Sequence, residues 1–169
     1  MELRYPIGRF ELPEQMTGAH LVAWIYEIEA LPRLLNQLVK DLTEEQLEKT
    51  YRPDGWTVRQ VIHHIADSHM NSYIRMKLAL TESEPVINTY EEKLWAELPD
   101  TLLPPASSLQ IIAGLHPRWV HLLKALDDEQ LQRVFVFPNG RKMSIEKAVG
   151  LYAWHGNHHI AHIKQALSL

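Results

Sequence analysis

Trp154-His155-Gly156-Asn157-His158-His159-Ile160-Ala161-His162 places four of the chain's ten histidines within eight residues. On a helix, residues four apart stand one above the other, so His155/His159 and His158/His162 each form a pair able to grip a divalent ion from two sides. Spacing allows both pairs, and hydrophobic periodicity separates them. At about 100° per residue, Ile145, Ala148, Leu151, Tyr152, Ile163, Ala166 and Leu167 centre on one face. His159 lies close to that centre and His155 a little off it. His158 falls toward the polar side with Lys147 and Gln165, and His162 sits on the edge. The inward pair is therefore expected to be His155 and His159. The simpler alternative is a histidine-rich helix with one or two rings hydrogen-bonded in the core and the rest solvated.

Upstream, Ser144 offers an N-cap for this helix, which is expected to run to about Leu167. Before it, Leu131 to Met143 is the one strand-like passage. Asn139-Gly140 after β-branched and aromatic residues is a strong hairpin signal. Three further amphipathic helices precede the hairpin. The first spans Thr17 to about Lys40 with Leu21, Ile25, Ile28, Leu31, Leu35 and Leu38 at helical spacing, and Pro32 should kink or divide it near Ala30. The second starts after Thr57 and carries Val58, Val61, Ile62, Ile65, His69, Met76, Ala79 and Leu80 on its apolar face. The third is capped by Ser107 or Ser108, with His116 read as a core histidine. Thr43-Glu44-Glu45-Gln46 has the form of a capping box for a short extra helix.

Two connections complete the pattern. Tyr5 to Pro13 reads as an extended N-terminal arm that packs over the domain, because its prolines disfavour helix in the residues before them. Glu82 to Pro105, interrupted by four prolines, reads as a long crossover that forms a lid, a wall or a strap. Four long helices with one long crossover predict an all-α four-helix bundle over residues 1–169, a fold that builds metal sites from facing helices.

Composition narrows the function. A length of 169 residues with 46% apolar content suits one domain. A net charge of −4 without a block of like charge offers no footprint for nucleic acid or an anionic membrane. The start of the chain lacks the pattern of a signal peptide and no run of apolar residues is long enough to span a bilayer, which leads to the expectation of a cytoplasmic protein. With no cysteine, the chain has no thiolate ligand and no cysteine nucleophile, and any thiol chemistry must bring its thiol from outside.

Periodicity puts His69 within the apolar stripe of the second helix and His64 on its flank, in line with Ser68, Asn71 and Arg75. That polar column is either a solvated edge or the lining of an internal site. A resemblance bears on the choice. The run from Trp56 to His69, the Tyr5-Pro6-Ile7-Gly8 arm, Asn71 to Arg75 and the closing Trp154 to Ile163 segment resemble the DinB/YfiT-like family of metal-dependent enzymes, most closely its YfiT branch. The likeness covers most of the chain. It implies a bundle holding one divalent ion, nickel or zinc, by His64, His155 and His159, with a position left open to water or substrate. Three protein ligands are the pattern of a catalytic site, whereas structural zinc is normally closed by four. His162 stands where many relatives have glutamine, and is expected to be a fourth ligand or a proton shuttle; His162 and Asp67 are otherwise expected as supporting groups near the ligands.

The resemblance implies an enzyme acting on a small molecule, first as an S-transferase that activates a low-molecular-weight thiol such as bacillithiol. The alternatives are a metal-dependent hydrolase, with Asp67 or His63 as the available bases, and a non-catalytic metal-binding stress protein. No catalytic residue of the chain itself is assigned. Ser68, Asn71 and Arg75 are expected to line the substrate cavity, with Arg75 binding a carboxylate; the alternative for Arg75 is an ion pair with Glu27 or Glu29. A homodimer is expected from the resemblance and from the aromatic surface of Trp24, Trp95 and Trp119.

Overall fold

Short polar side chains start several of the helices where their spacing predicts, most of them accepting an otherwise orphaned backbone N–H. In the computed structural model, which describes residues 3–169 and leaves Met1 and Glu2 outside the described residues, Thr57 Oγ1 accepts from Gln60 N at 3.2 Å to open α3 (Val58–Thr81). Thr43 and Gln46 form the reciprocal capping box of α2 (Glu44–Leu47). Thr17 stands at the N-cap of α1 (Gly18–Val39), where its backbone N–H donates to His20 Nδ1. Ser144 caps α7 (Ile145–Leu167), accepting from Lys147 N. The hairpin pairs β1 (Val134–Val136) with β2 (Lys142–Ser144), and Gly140 in its turn takes φ +82°, which glycine adopts without strain.

Two helix expectations need correction. Pro32 does not divide α1, which runs on through it. The third long helix, α5 (Ala106–Lys124), starts two residues before Ser108, and Ser108 lies buried inside it, bonded to His63. The cap signal failed there because Ser108 had a tertiary partner.

α1 packs on α5 and α7, and α3 packs on the same two, so the four long helices close into a bundle. The core divides into two apolar clusters. One holds Ile28, Met76, Trp119, Leu123, Phe135 and Ala148. The other holds Leu31, Leu35, Ile62, Ile65, Ile112 and Ile163. Between them on three helices stands a polar layer: His69 on α3, His116 on α5, and His155 with His159 on α7. α1 approaches α7 closely at this level, since a Cβ on Gly156 would stand 2.9 Å from Leu31 Cδ2.

The crossover contains α4 (Glu92–Trp95) and a 3-10 turn at Pro99–Leu102, and α6 (Asp128–Gln132) leads into the hairpin. Gln60 Nε2 holds the crossover by donating to Ala96 O at 2.8 Å. Arg59, buried, binds Glu48 at 2.8 Å and Glu44, which fastens α2 to α3. The N-terminal arm is tied to α7: Trp154 Nε1 donates to Gly8 O, and Gln165 Nε2 to Leu3 O. No helix among the described residues is long and apolar enough to cross a membrane.

Candidate metal centre

His64 comes from the second turn of α3 and His155 and His159 from the middle of α7, two helices that pack face to face. One nitrogen from each ring lies within 4.8 Å of the others. His64 Nε2 and His155 Nε2 are 3.2 Å apart. Tetrahedral nitrogen ligands at about 2.0–2.1 Å from zinc stand roughly 3.4 Å from one another, so this pair has metal-site spacing and the third ring needs only a small inward shift. The three histidines can hold a metal ion.

The electrostatics suit the same use. Burial pushes the His64 imidazole down to about 4, with His162 nearby adding to the effect. Burial first, and neighbouring histidines second, hold His155 and His159 well below the ordinary range. Neutral rings are what a metal requires, since protons compete for the same lone pairs. His155 partly faces a cavity, while His64 and His159 are buried beside it.

That cavity, of about 560 Å³, runs between α7, the start of α3, the N-terminal arm and the crossover. Its aromatic walls include Tyr51, Trp56 and Trp154, and Trp56 leans on His64 with ring centroids 4.6 Å apart. Arg4, Arg52 and Lys93 contribute positive charge, and Asp54, Glu92 and Glu97 carboxylates. The crossover is thus a wall of the site.

His162 is not among the three histidines whose nitrogens converge, and both of its ring nitrogens have other partners. Its Nε2 lies 3.1 Å from Arg4 O and must donate to it, because a carbonyl only accepts. In the neutral ring Nδ1 is then an acceptor, 3.4 Å from His159 Nδ1. His159 therefore donates through Nδ1 and keeps Nε2 for binding. Tyr51 stacks on His162 with centroids 3.8 Å apart and fixes its plane.

Several expected site residues lie elsewhere. Ser68, Asn71 and Arg75 are not among the residues that line the cavity. Arg75 Nη2 donates to Asn88 O at 2.7 Å and its guanidinium sits over Tyr90, while Asn71 Nδ2 bonds the Asp67 carbonyl. Nor does Arg75 pair with α1: Glu27 accepts from Asn157, and Glu29 from Lys124. The cause is distance along the axis, since eleven residues of α-helix carry Arg75 about 16 Å beyond His64. Asp67, raised to about 6 by burial and then by Asp100, also stands outside the cavity. His63 is committed to Ser108 Oγ at 2.7 Å and Leu103 O at 3.0 Å.

His158, expected toward the polar side, is buried. The arm covers it: Tyr5 stands 5.8 Å from its ring, and Trp154 stacks on its other side at 4.4 Å. Sequence reasoning put His69 in an apolar stripe and read His116 as a core histidine, and both are fully buried; it did not reach that they hydrogen-bond to each other at 3.0 Å and meet His155 through His69 Nε2 at 3.1 Å. The one signal was their place in apolar stripes, which reads equally well as core.

Comparison with known proteins places this arrangement among others. The model of the DinB superfamily matches residues 27–163. A protein of Halalkalibacterium halodurans, provisionally named a metal-dependent hydrolase, is 54% identical over 167 residues, which is 99% of this chain and 98% of the relative. One of Oceanobacillus iheyensis with the same provisional name is 55% identical over 163 residues, covering 96% of this chain and 95% of the relative. The solved structure of YfiT from Bacillus subtilis, described as a probable metal-dependent hydrolase with an unusual four-helix bundle topology, superposes with a TM-score of 0.95 at 46% identity, over 99% of this chain and 97% of that one. The mycothiol-dependent maleylpyruvate isomerase shares the fold, with a TM-score of 0.69 at 14% identity over 88% of this chain and 63% of the other.

Proposed function

Because the chain belongs to the DinB superfamily and opens three neutral histidines onto a cavity, we propose that it is a divalent-metal-dependent hydrolase of a small molecule, with His64, His155 and His159 holding one nickel or zinc ion. The observation that carries this reading is the convergence of three ring nitrogens within 4.8 Å at the cavity wall. When bound, such an ion acts as a Lewis acid and makes a ligated water or thiol far more acidic. Three protein ligands leave a position for the reactant. The aromatic walls at Tyr51, Trp56 and Trp154 bury the apolar part of a substrate and exclude water around it. Glu92, Glu97 and Asp54 are the carboxylates in the cavity, so proton transfer falls to them and not to Asp67 or His63.

A second reading, transfer of a thiol such as bacillithiol, has one observation in its favour. Arg4, Arg52 and Lys93 line the cavity of a chain that has no cysteine, and cationic side chains suit the carboxylates of such a thiol. Metal-loaded protein is expected to hydrolyse members of a panel of esters and amides, with turnover lost in His64→Ala. Conjugation of bacillithiol to monochlorobimane without hydrolysis would move the assignment to thiol transfer. Stoichiometric metal with neither activity would leave a metal-binding protein.

A homodimer working in the cytoplasm completes the proposal. Of the three tryptophans first considered, Trp119 is fully buried and Trp24 half-buried while Trp95 is exposed, and further support comes from exposed Val22 and Tyr26 beside each other on α1. Light scattering at high micromolar concentration is expected to give twice the chain mass of 19.6 kDa. A monomer mass, or a Tyr26→Glu variant that remains dimeric, rules out this surface.

A further inference from the structure

We infer that His69 and His116 are positioning residues that hold His155 as its Nδ1–H tautomer, aiming the Nε2 lone pair at the metal position, through a hydrogen-bond chain anchored on the Ile28 carbonyl. The inference rests on the three-histidine reading of the site.

The direction of the chain follows from its far end. His116 Nδ1 lies 2.7 Å from Ile28 O. A carbonyl has no proton to give, so His116 Nδ1 carries the hydrogen. This carbonyl is available because of Pro32: the helical donor to residue 28 would be the N–H of residue 32, and proline has none. A buried carbonyl without a partner is costly, and His116 supplies one from across the bundle. The residue read from sequence as a helix breaker is thus what frees an anchor for the site.

From there each ring sets the next. His116 and His69 are fully buried, with Trp119 packed edge-on against both, and an imidazolium there would lack solvent and counter-charge. In neutral His116, Nε2 is then an acceptor, so His69 Nδ1, 3.0 Å away, is the donor. His69 Nε2 is left as an acceptor, and His155 Nδ1, at 3.1 Å, must donate to it. The one nitrogen of His155 without a proton is Nε2, which faces His64 Nε2. Without the chain, a neutral imidazole is free to protonate either nitrogen, and the Nε2–H form of His155 would present a hydrogen where a metal needs a lone pair.

The test needs no metal in its first arm. In metal-free, ¹⁵N-labelled protein, long-range proton–nitrogen correlation spectra are expected to show Nδ1–H for His116, His69 and His155. His155 protonated on Nε2 overturns the inference. In the second arm, His116→Leu is expected to admit the Nε2–H form of His155 and to weaken zinc binding, read against a competing chelator, by about 10–100-fold. His116→Gln, whose amide can donate to Ile28 O and accept from His69, is expected to restore both. Wild-type zinc affinity in both His116→Leu and His69→Leu also overturns it. Should the leucine variants fail to fold, the wild-type spectra decide alone. If the wild type shows the predicted tautomers yet binds no zinc, the metal reading fails and the hydrogen-bond chain stands.

Discussion

Purified parent protein is expected to carry metal, on the proposed reading, and His155→Ala almost none of it, with His64→Ala and His159→Ala behaving alike. Each variant removes one of three nitrogens gathered within 4.8 Å, and the other two cannot complete a stable coordination sphere. Groups that merely orient a ligand are worth about 10–100-fold in metal affinity, so loss of a ligand should exceed about 100-fold. Folding is expected to survive, because His155 faces the cavity and the apolar clusters on either side of the histidine layer are untouched. His121→Ala, on an exposed face of α5, and His20→Ala, beside the start of α1, should keep full metal. Elemental analysis beside far-ultraviolet circular dichroism measures both effects. Stoichiometric metal in folded His155→Ala would end the assignment of this site.

The metal-free protein is expected to unfold cooperatively between pH 6 and pH 4. His64 and His116 are pushed by burial from 6.5 to about 4, and His69 and His159 well below the ordinary value. Below 6.5 the unfolded chain therefore takes up protons that the folded chain refuses, and stability falls as the pH drops toward the folded-state values. One such ring costs about 1.4 kcal/mol per pH unit, or roughly 2 kcal/mol at pH 5. Four of them, even at half that value through mutual coupling, approach the 5–15 kcal/mol or so that holds a typical domain together. Asp67, raised to about 6, and Glu27 and Glu92, also raised by burial, work in the opposite direction, but His155, His158 and His162 are lowered as well, so the histidines outweigh the carboxylates. If the three histidines hold zinc as proposed, zinc binding the folded state more tightly than the unfolded chain should move the midpoint to lower pH. Helicity and tryptophan fluorescence followed through an acid titration check this. An apo protein unchanged at pH 4 would mean that these rings accept protons without loss of the fold.

Much of this architecture was legible in the chain because its signals are local. Thr43, Thr57 and Ser144 accept hydrogen bonds from residues three positions on, and Asn139-Gly140 closes a turn within four residues, so each signal is complete in a few adjacent residues, whereas Ser108 met a distant partner in His63. The choice of His155 and His159 over His158 and His162 as the candidate pair was also local, since the angle around a helix depends only on position in it. What an angle cannot say is which neighbour covers it. His158 is buried because an arm more than 140 residues earlier lies over it, as its contact with Tyr5 and the bond from Trp154 to Gly8 record. Nor does an angle measure height: His64 and Arg75 share a column, yet one meets the cavity and the other the crossover near Asn88. Pro32 marks the same limit. From sequence it announces a lost hydrogen bond, and only the packing of α5 against α1 decides that His116 fills the gap and links it through His69 to His155.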